Sequence, residues 1–327
     1  VKRLRVAIAG AGMVAAHHVV AWRRAPAVDL VAVADPDADR ARAFAERHGI
    51  GAAHADAQEM LARHRPDALD VAASHDAHAA LCRAAAARGV AILCQKPLAP
   101  TLGEAQAIAR EVGDRVRLMV HENWRFRPWY RQAGEWVRSG RIGTLRHASV
   151  VARGSGLLAD GRGVRAALAR QPMLAGLHRL TIGEVLVHHL DVAGWLCGPL
   201  ALRFAAVRRD VPEVRGDSAA VLVLTAAGGS SVLIDGDLAA HGAPPRVDDT
   251  FELLGSRGAI RHDGRRLRAD GEEIVFEPQD AYQASYDGAI RHFADALRRD
   301  LPFETPAASH LEVLALVEAA YAVAAAG

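Results

Sequence analysis

Residues 4–35 read LRVAIAGAGMVAAHHVVAWRRAPAVDLVAVAD. Residues 4–9 form a short apolar run suited to a buried strand, and Gly10, Gly12 and Ala15 follow as G-x-G-x-x-A. A helical stretch runs to about Arg24, a second apolar run covers residues 30–34, and Asp35 closes it. Strand, glycine turn, helix, strand and acid in this order are the pattern of a dinucleotide-binding unit. Each residue type has a physical job. Gly10 permits the tight turn, Gly12 lets backbone approach a pyrophosphate, and Ala15 is small enough for close helix–strand packing. Met13 and Val14 open the helix whose positive end would receive the phosphates. Asp35 would accept from ribose hydroxyls and repel a 2′-phosphate, which favours NAD; Arg40 nearby leaves NADP open. The blander reading is that the two glycines merely turn the chain.

Outward from this stretch the alternation continues. Helices are expected at 38–48, 56–63, 78–88 and 101–111, and strands at 68–73, 90–94 and 116–120. Such alternation predicts a parallel α/β sheet covered on both faces. Ligands of such sheets lie beyond the carboxyl ends of the strands, which selects Gly10–Met13, Asp35, Ala73–His75, Gln95–Pro97 and His121–Asn123. Ser74, His75, His78, Gln95 and Lys96 are therefore candidate cofactor contacts. Lys96 follows an apolar strand directly. It would either hydrogen-bond a substrate hydroxyl and help take its proton, or simply face solvent. His75 and His78 lack a third ligand at metal-binding spacing, so no metal is expected.

The second half opens on Asn123-Trp124-Arg125-Phe126-Arg127-Pro128-Trp129-Tyr130, an aromatic and basic block that is either a substrate wall or a hinge. A helix at 130–139, a strand at 145–152, a glycine-rich loop at 153–163 and a short helical segment at 165–170 are expected next. Within the expected helix 181–196, Glu184, His188 and Asp191 recur at helical spacing and share a face. Three readings stay open: His188 as acid/base with a carboxylate orienting it, a structural histidine–carboxylate pair, or metal ligation without a third ligand. Strands at 202–207, 218–224, 231–235, 251–254, 259–261 and 274–276, with hairpin signals at Gly228-Gly229 and Asp263-Gly264, predict an antiparallel sheet. Helices at 282–300 and 307–326 close the chain. The expected division is a first domain at 1–121 and a second at 122–327, with the last helices able to pack back on the first.

The 327 residues carry a formal charge of only +2, with 40 basic and 38 acidic side chains, which gives no support to nucleic-acid binding. Cys82, Cys94 and Cys197 form neither a disulfide framework nor a thiolate cluster. No secretory segment and no 18-residue apolar run is evident, so a cytoplasmic protein without a membrane span is expected.

The nucleotide fingerprint, Lys96-Pro97, the Asn-x-Arg-Phe-x-Pro block at 123–128 and His-x-x-Asp at 188–191 together resemble the Gfo/Idh/MocA oxidoreductases, the glucose–fructose oxidoreductase and inositol dehydrogenase group. The resemblance covers essentially the whole chain. It implies an α/β fold: an N-terminal Rossmann domain and a C-terminal α/β domain with a large, mostly antiparallel open sheet, through which homodimers or homotetramers form. It implies hydride transfer between a nicotinamide and a small-molecule sugar, sugar acid or polyol. Lys96 would orient the reacting oxygen and His188 would exchange its proton. Where the family has Glu-Lys-Pro this chain has Gln95-Lys96-Pro97, and Glu184 stands where an aspartate is usual. Ser74 takes a slot where proline is common. Asn123, Trp124, Arg153, Arg165, His178 and Arg179 are candidate substrate contacts beside Lys96 and His188, and two arginines there would suit an acidic sugar. Structural pairing is the competing reading for the arginines and His178. Two other functions are carried as alternatives: a redox-neutral epimerase, lyase or glycosidase that recycles its NAD, and a non-catalytic nucleotide-binding protein.

Overall fold

The structure is a computed structural model that describes residues 2–326. It divides into two compact units: residues through Phe126 with Tyr282–Leu314, and Arg127–Ala281 with the residues from Ala315 on. The expected division was at 121/122, with the last helices able to pack back on the first domain. Asn123 bonds Ser285 and Arg125 bonds the Glu304 carbonyl, so these residues and Tyr282–Leu314 belong with the first unit.

The first unit is a six-stranded parallel sheet. Its strands are β1 (Leu4–Ala9), β2 (Val28–Ala34), β3 (Ala53–His54), β4 (Ala68–Val71), β5 (Ala91–Gln95) and β6 (Leu118–His121), in the order β3-β2-β1-β4-β5-β6. The strand order reverses between β1 and β4, where doubly wound sheets place their ligand crevice. The helices are α1 (Met13–Arg24), α2 (Ala38–Arg47), α3 (Ala57–His64), α4 (His75–Ala86) and α5 (Leu102–Gly113). Local chemistry sets their starts. Asp37 accepts from the Asp39 and Arg40 amides, Asp56 from the Gln58 and Glu59 amides, and Thr101 from the Glu104 amide. Both faces of the sheet are covered. Trp22 and Val19 of α1 pack with Ile290 and Phe293 on one side, while α3, α4 and α5 bury Leu61, Cys82 and Ile108 on the other.

Helix α6 (Pro128–Arg138) opens the second unit, followed by β7 (Leu145–Arg153), α7 (Ala166–Arg170) and, after a π-helical stretch at Thr181–Leu186, α8 (Val187–Cys197). Seven strands follow: β8 (Leu200–Arg208), β9 (Ala219–Ala226), β10 (Ser231–Asp237), β11 (Asp248–Gly255), β12 (Ala259–His262), β13 (Arg266–Ala269) and β14 (Glu272–Val275). The eight strands form one open sheet in the order β14-β13-β12-β11-β7-β10-β9-β8, antiparallel throughout except between β10 and β7. Along β7, Ala148, Val150 and Ala152 are buried, while the alternating Ser149, Val151 and Arg153 are half-exposed on the other face. The expected strands missed β13. Its arginines mask the period-2 signal, and the Asp263-Gly264 turn was the remaining clue that a partner strand follows.

The chain ends in α9 (Pro278–Arg298) and α10 (Ala307–Ala326). Among the described residues α10 is the one helix long and apolar enough to cross a membrane by length and composition, with a mean hydropathy of 1.4. The expectation of no such run is corrected on this helix: Glu312 and Glu318 interrupt the run to the eye, but alanine, leucine and valine carry the average. Its buried residues, His310, Val313, Leu314, Val317 and Ala320, fall on one helical face, the pattern of a helix packed against protein.

Phe293 of α9 is fully buried, edge-on to Trp22 at 5.9 Å and stacked on Phe303 at 5.1 Å. Phe293→Ala removes a ring that joins the chain's last fifth to its first strands. It is expected to lower the stability of the first unit by about 3–5 kcal/mol in denaturant titrations, with the second unit's transition unmoved.

Candidate active site

Gly10 leaves β1 at φ +106°, and a Cβ there would lie 2.4 Å from the Ala72 carbonyl oxygen. Both facts demand glycine. Gly12 stands at the N-cap of α1 with no side-chain cap, and a Cβ on it would meet nothing within 4 Å. No side chain caps the first amides of α1, and the space beside Gly12 is open, as an anion site requires. Met13 is exposed beside them, Val14 is half-buried, and Ala15 is fully buried against the sheet. Asp35 shapes this loop. Its carboxylate accepts the Ala11 amide at 2.9 Å and the Asp37 amide at 3.0 Å, and it pairs with Arg40. Burial alone would raise the Asp35 carboxyl. The Arg40 guanidinium and the two amides outweigh it and hold the group below the usual carboxylate range. The cradle therefore fits a dinucleotide, with the α1 amides for its phosphates and Asp35 for a ribose.

The other strand ends are the β4–α4 and β5–α5 connections. Ser74 caps α4 with no side-chain bond and is exposed, and His75 is half-buried in the first turn. His78 is the third candidate of this connection. It is fully buried, with Nδ1 3.0 Å from the Pro97 carbonyl and Nε2 3.2 Å from that of Ala73, so it ties the two connections together. Burial pulls its imidazole below the usual histidine range. Gln95 and Lys96 are half-buried at the end of β5. Behind them lies a polar row that no local motif marks. The Trp22 Nε1–H donates to Asp70 at 2.6 Å, His18 Nδ1 lies 2.8 Å from the same carboxylate, and the Gln95 carboxamide nitrogen lies 2.7 Å from His18 Nε2 and 3.1 Å from His121 Nδ1. The nearest signal was His17-His18, read only as helix.

A cavity of about 1100 Å³ lies at the opposite, amino ends of the strands. Arg65, Arg88 and Arg115 on its rim follow the carboxyl ends of α3, α4 and α5, where their charges offset the helix dipoles. None of the strand-end residues lines it.

In the second unit, the expected uniform helix from Thr181 is corrected. The chain is π-helical over Thr181–Leu186 and becomes α-helical at Val187, so the step from Glu184 to His188 crosses a change of helical register. Asp217 holds the π segment. It accepts the Leu180 amide at 3.0 Å, the Ile182 amide at 3.1 Å and the Tyr321 hydroxyl at 2.7 Å. Glu184 is half-buried, while His188 and Asp191 are buried on α8. His189 points elsewhere, toward Asp249 at 3.7 Å. Asp249 also accepts from Arg127 at 2.6 Å and from the Tyr130 hydroxyl. Burial would raise this carboxyl, but Arg127, His189 and Tyr130 drive it far below the carboxylate range.

The candidate substrate contacts have these surroundings. Asn123 is buried, with its amide donating to Ser285 at 2.7 Å, and Trp124 is buried in a short 3-10 turn. Arg153 pairs with Asp235 on the half-exposed sheet face, away from the face that α8 packs on. Arg165 donates to the Leu157 carbonyl at 2.7 Å and pairs with Glu213. Each of these two arginines is matched by a carboxylate of its own unit. Arg179 is exposed, 3.5 Å from Glu318 and over the Tyr321 ring, and His178 is exposed. Among the described residues no three His, Cys, Asp or Glu side chains group as a metal site.

Residues 4–121 match the model of an oxidoreductase family with an NAD-binding Rossmann fold, and residues 130–261 match the GFO/IDH/MocA C-terminal domain. A D-apiose dehydrogenase of Paraburkholderia graminis is 32% identical, over 98% of this chain and 88% of that protein. An inositol 2-dehydrogenase of Rhizobium meliloti is 26% identical, over 97% of this chain and 96% of its own length. The crystal structure of an oxidoreductase from Agrobacterium radiobacter, in complex with NAD+, L-tartaric acid and magnesium, superposes with a TM-score of 0.91 at 28% identity, covering 99% of this chain and 97% of that one.

The Asp249 network makes a pH prediction. The folded carboxyl gives up its proton more readily than the unfolded one, so its ionisation stabilises the fold above the unfolded value. That contribution is lost as pH falls below about 4. Asp249→Asn leaves Arg127 buried without its counter-charge and should cost roughly 3–5 kcal/mol at neutral pH. In melting curves taken between neutral and acid pH, the variant should lose less stability on acidification than the wild type.

Proposed function

Given that the chain belongs to the Gfo/Idh/MocA oxidoreductase family, we propose that it transfers a hydride between NAD and a hydroxyl-bearing carbon of a sugar, sugar acid or polyol. The observation that carries this reading is the uncapped start of α1 at Gly12 beside the Asp35 carboxylate, with Lys96 at a strand end of the same sheet. NAD supplies the hydride acceptor when bound. The chain's own residues do the rest. The α1 amides hold the phosphates, and Asp35 takes a ribose hydroxyl. Lys96, an ammonium donor, orients the substrate oxygen and favours the negative charge that grows on it as its proton leaves. His188 accepts that proton during oxidation and returns it in the reverse direction. Glu184 and Asp191 are the carboxylates of the same stretch that would set the imidazole's orientation. The dehydrogenases of D-apiose and inositol among the relatives support a polyhydroxylated substrate. A homodimer or homotetramer through the half-exposed face of the eight-stranded sheet is part of the same proposal.

Lys96→Met and His188→Ala should each lower turnover by about 10²–10⁴-fold while leaving NAD affinity unchanged. Acting on one substrate oxygen, the two changes should not add in the double variant. Additive losses, or single variants with near wild-type turnover on an oxidised polyol, overturn the assignment. Turnover without net NADH would replace the dehydrogenase reading with a redox-neutral reaction.

Asp35 and Arg40 set a second expectation. Asp35→Ser removes the 2′-phosphate's repulsion and releases Arg40 to pair with it. NADP should gain about tenfold or more in kcat/KM at the expense of NAD, as read from initial rates with the two cofactors.

A further inference from the structure

Gln95 sits at the junction of four groups. Its carboxamide oxygen accepts the Lys96 backbone N–H at 3.2 Å, and its carboxamide nitrogen lies 2.7 Å from His18 Nε2 and 3.1 Å from His121 Nδ1. The Lys96 amide can only donate, so it fixes which end of the carboxamide faces it. The nitrogen end, with two hydrogens to give, then faces the two imidazoles. Each imidazole nitrogen must be an acceptor. His18 has its other nitrogen, Nδ1, 2.8 Å from Asp70, and Trp22 donates to that same carboxylate. A hydrogen on Nδ1 and a lone pair on Nε2 satisfy both contacts at once. For His121 the lone pair falls on Nδ1 and the hydrogen on Nε2. His18, Asp70 and His121 are fully buried, so water offers no alternative partner.

We propose that Gln95 is a positioning residue that anchors the Lys96 backbone and sets His18 and His121 as uncharged hydrogen-bond acceptors beneath the reacting centre. The carboxamide does this because it can donate twice on one side and accept on the other. A carboxylate of the same shape would present lone pairs to both imidazoles and demand a hydrogen on His18 Nε2 and on His121 Nδ1. One position therefore decides whether His18, whose Nδ1 hydrogen goes to Asp70, must carry a second hydrogen, and which neutral tautomer His121 adopts. The groups that face it are His17 and His18 from α1, Asp70 from β4, Lys96 after β5, His121 from β6 and Tyr286 from α9, whose ring lies 5.1 Å from His121 and 5.4 Å from His18. The inference rests on the proposed function only for its kinetic part.

The test is long-range proton–nitrogen NMR on the full chain labelled at histidine, without substrate. His18 and His121 are assigned from the signals lost in His18→Gln and His121→Gln. In the wild type both should appear as neutral tautomers, with lone pairs at Nε2 of His18 and Nδ1 of His121. Gln95→Glu should convert His18 to the doubly protonated form and move the His121 hydrogen from Nε2 to Nδ1 at the same pH. Gln95→Met should release the tautomers. In either variant turnover should fall about tenfold or more, a typical cost of one buried hydrogen-bonding group, with NAD affinity held. A doubly protonated wild-type imidazole at either position overturns the proposal. So does a Gln95→Met enzyme with wild-type turnover and unmoved histidine signals. If Gln95→Met does not fold, the near-isosteric Gln95→Glu decides. The spectra need no turnover, so they stand or fall apart from the dehydrogenase reading.

Discussion

No side chain fits between the end of β1 and the end of β4. The Gly10 position leaves 2.4 Å between a notional Cβ and the Ala72 carbonyl oxygen. That close approach lets the two central strands run side by side to the point where their order reverses. The connection after β1 must then turn at positive φ, enter α1 without a capping side chain, and expose its amides. Asp35, one strand over, fastens this loop by taking the Ala11 amide. The anion cradle is thus a by-product of packing two strands too closely for anything larger than hydrogen.

The second unit is organised by charge instead. Asp249 at the start of β11 is wholly buried, and it is tolerable there because Arg127, Tyr130 and His189 converge on it. Arg127 precedes α6, and His189 lies on α8 beside His188. One carboxylate therefore fastens the first helix of the unit and the helix of the candidate acid/base to the same strand. Asp217 plays the matching part at the other end of that helix, holding the amides where the π-helical turn begins.

The dinucleotide unit was legible because each of its parts has a local signature: an apolar strand, glycines at a turn and an acid after the next strand. The strand–helix alternation of the first half was equally plain from periodicity. What escaped depends on partners far apart in sequence. Nothing near Asp249 marks it as buried, since its partners come from positions 127, 130 and 189. The ion pairs of Arg153 and Arg165 escaped for the same reason: Asp235 and Glu213, which match them, are distant in the chain. The π-helical stretch escaped because its composition suits an α-helix. Gln95 was noticed as a departure from Glu-Lys-Pro, but its meaning needed the two histidines that the fold brings to it.

The first unit is discontinuous: Tyr282–Leu314 returns to it after all of Arg127–Ala281. Helix α9 buries Ile290 and Phe293 against Trp22 and Val19. On the ribosome, that apolar face of α1 must wait uncovered while all of Arg127–Ala281 is translated. The nucleotide-binding half, though first in sequence, is not complete until α9 has been made, and the second unit in turn takes its last residues from Ala315 on. The nascent chain is most exposed to chaperones and to aggregation along the surface that α9 will later close.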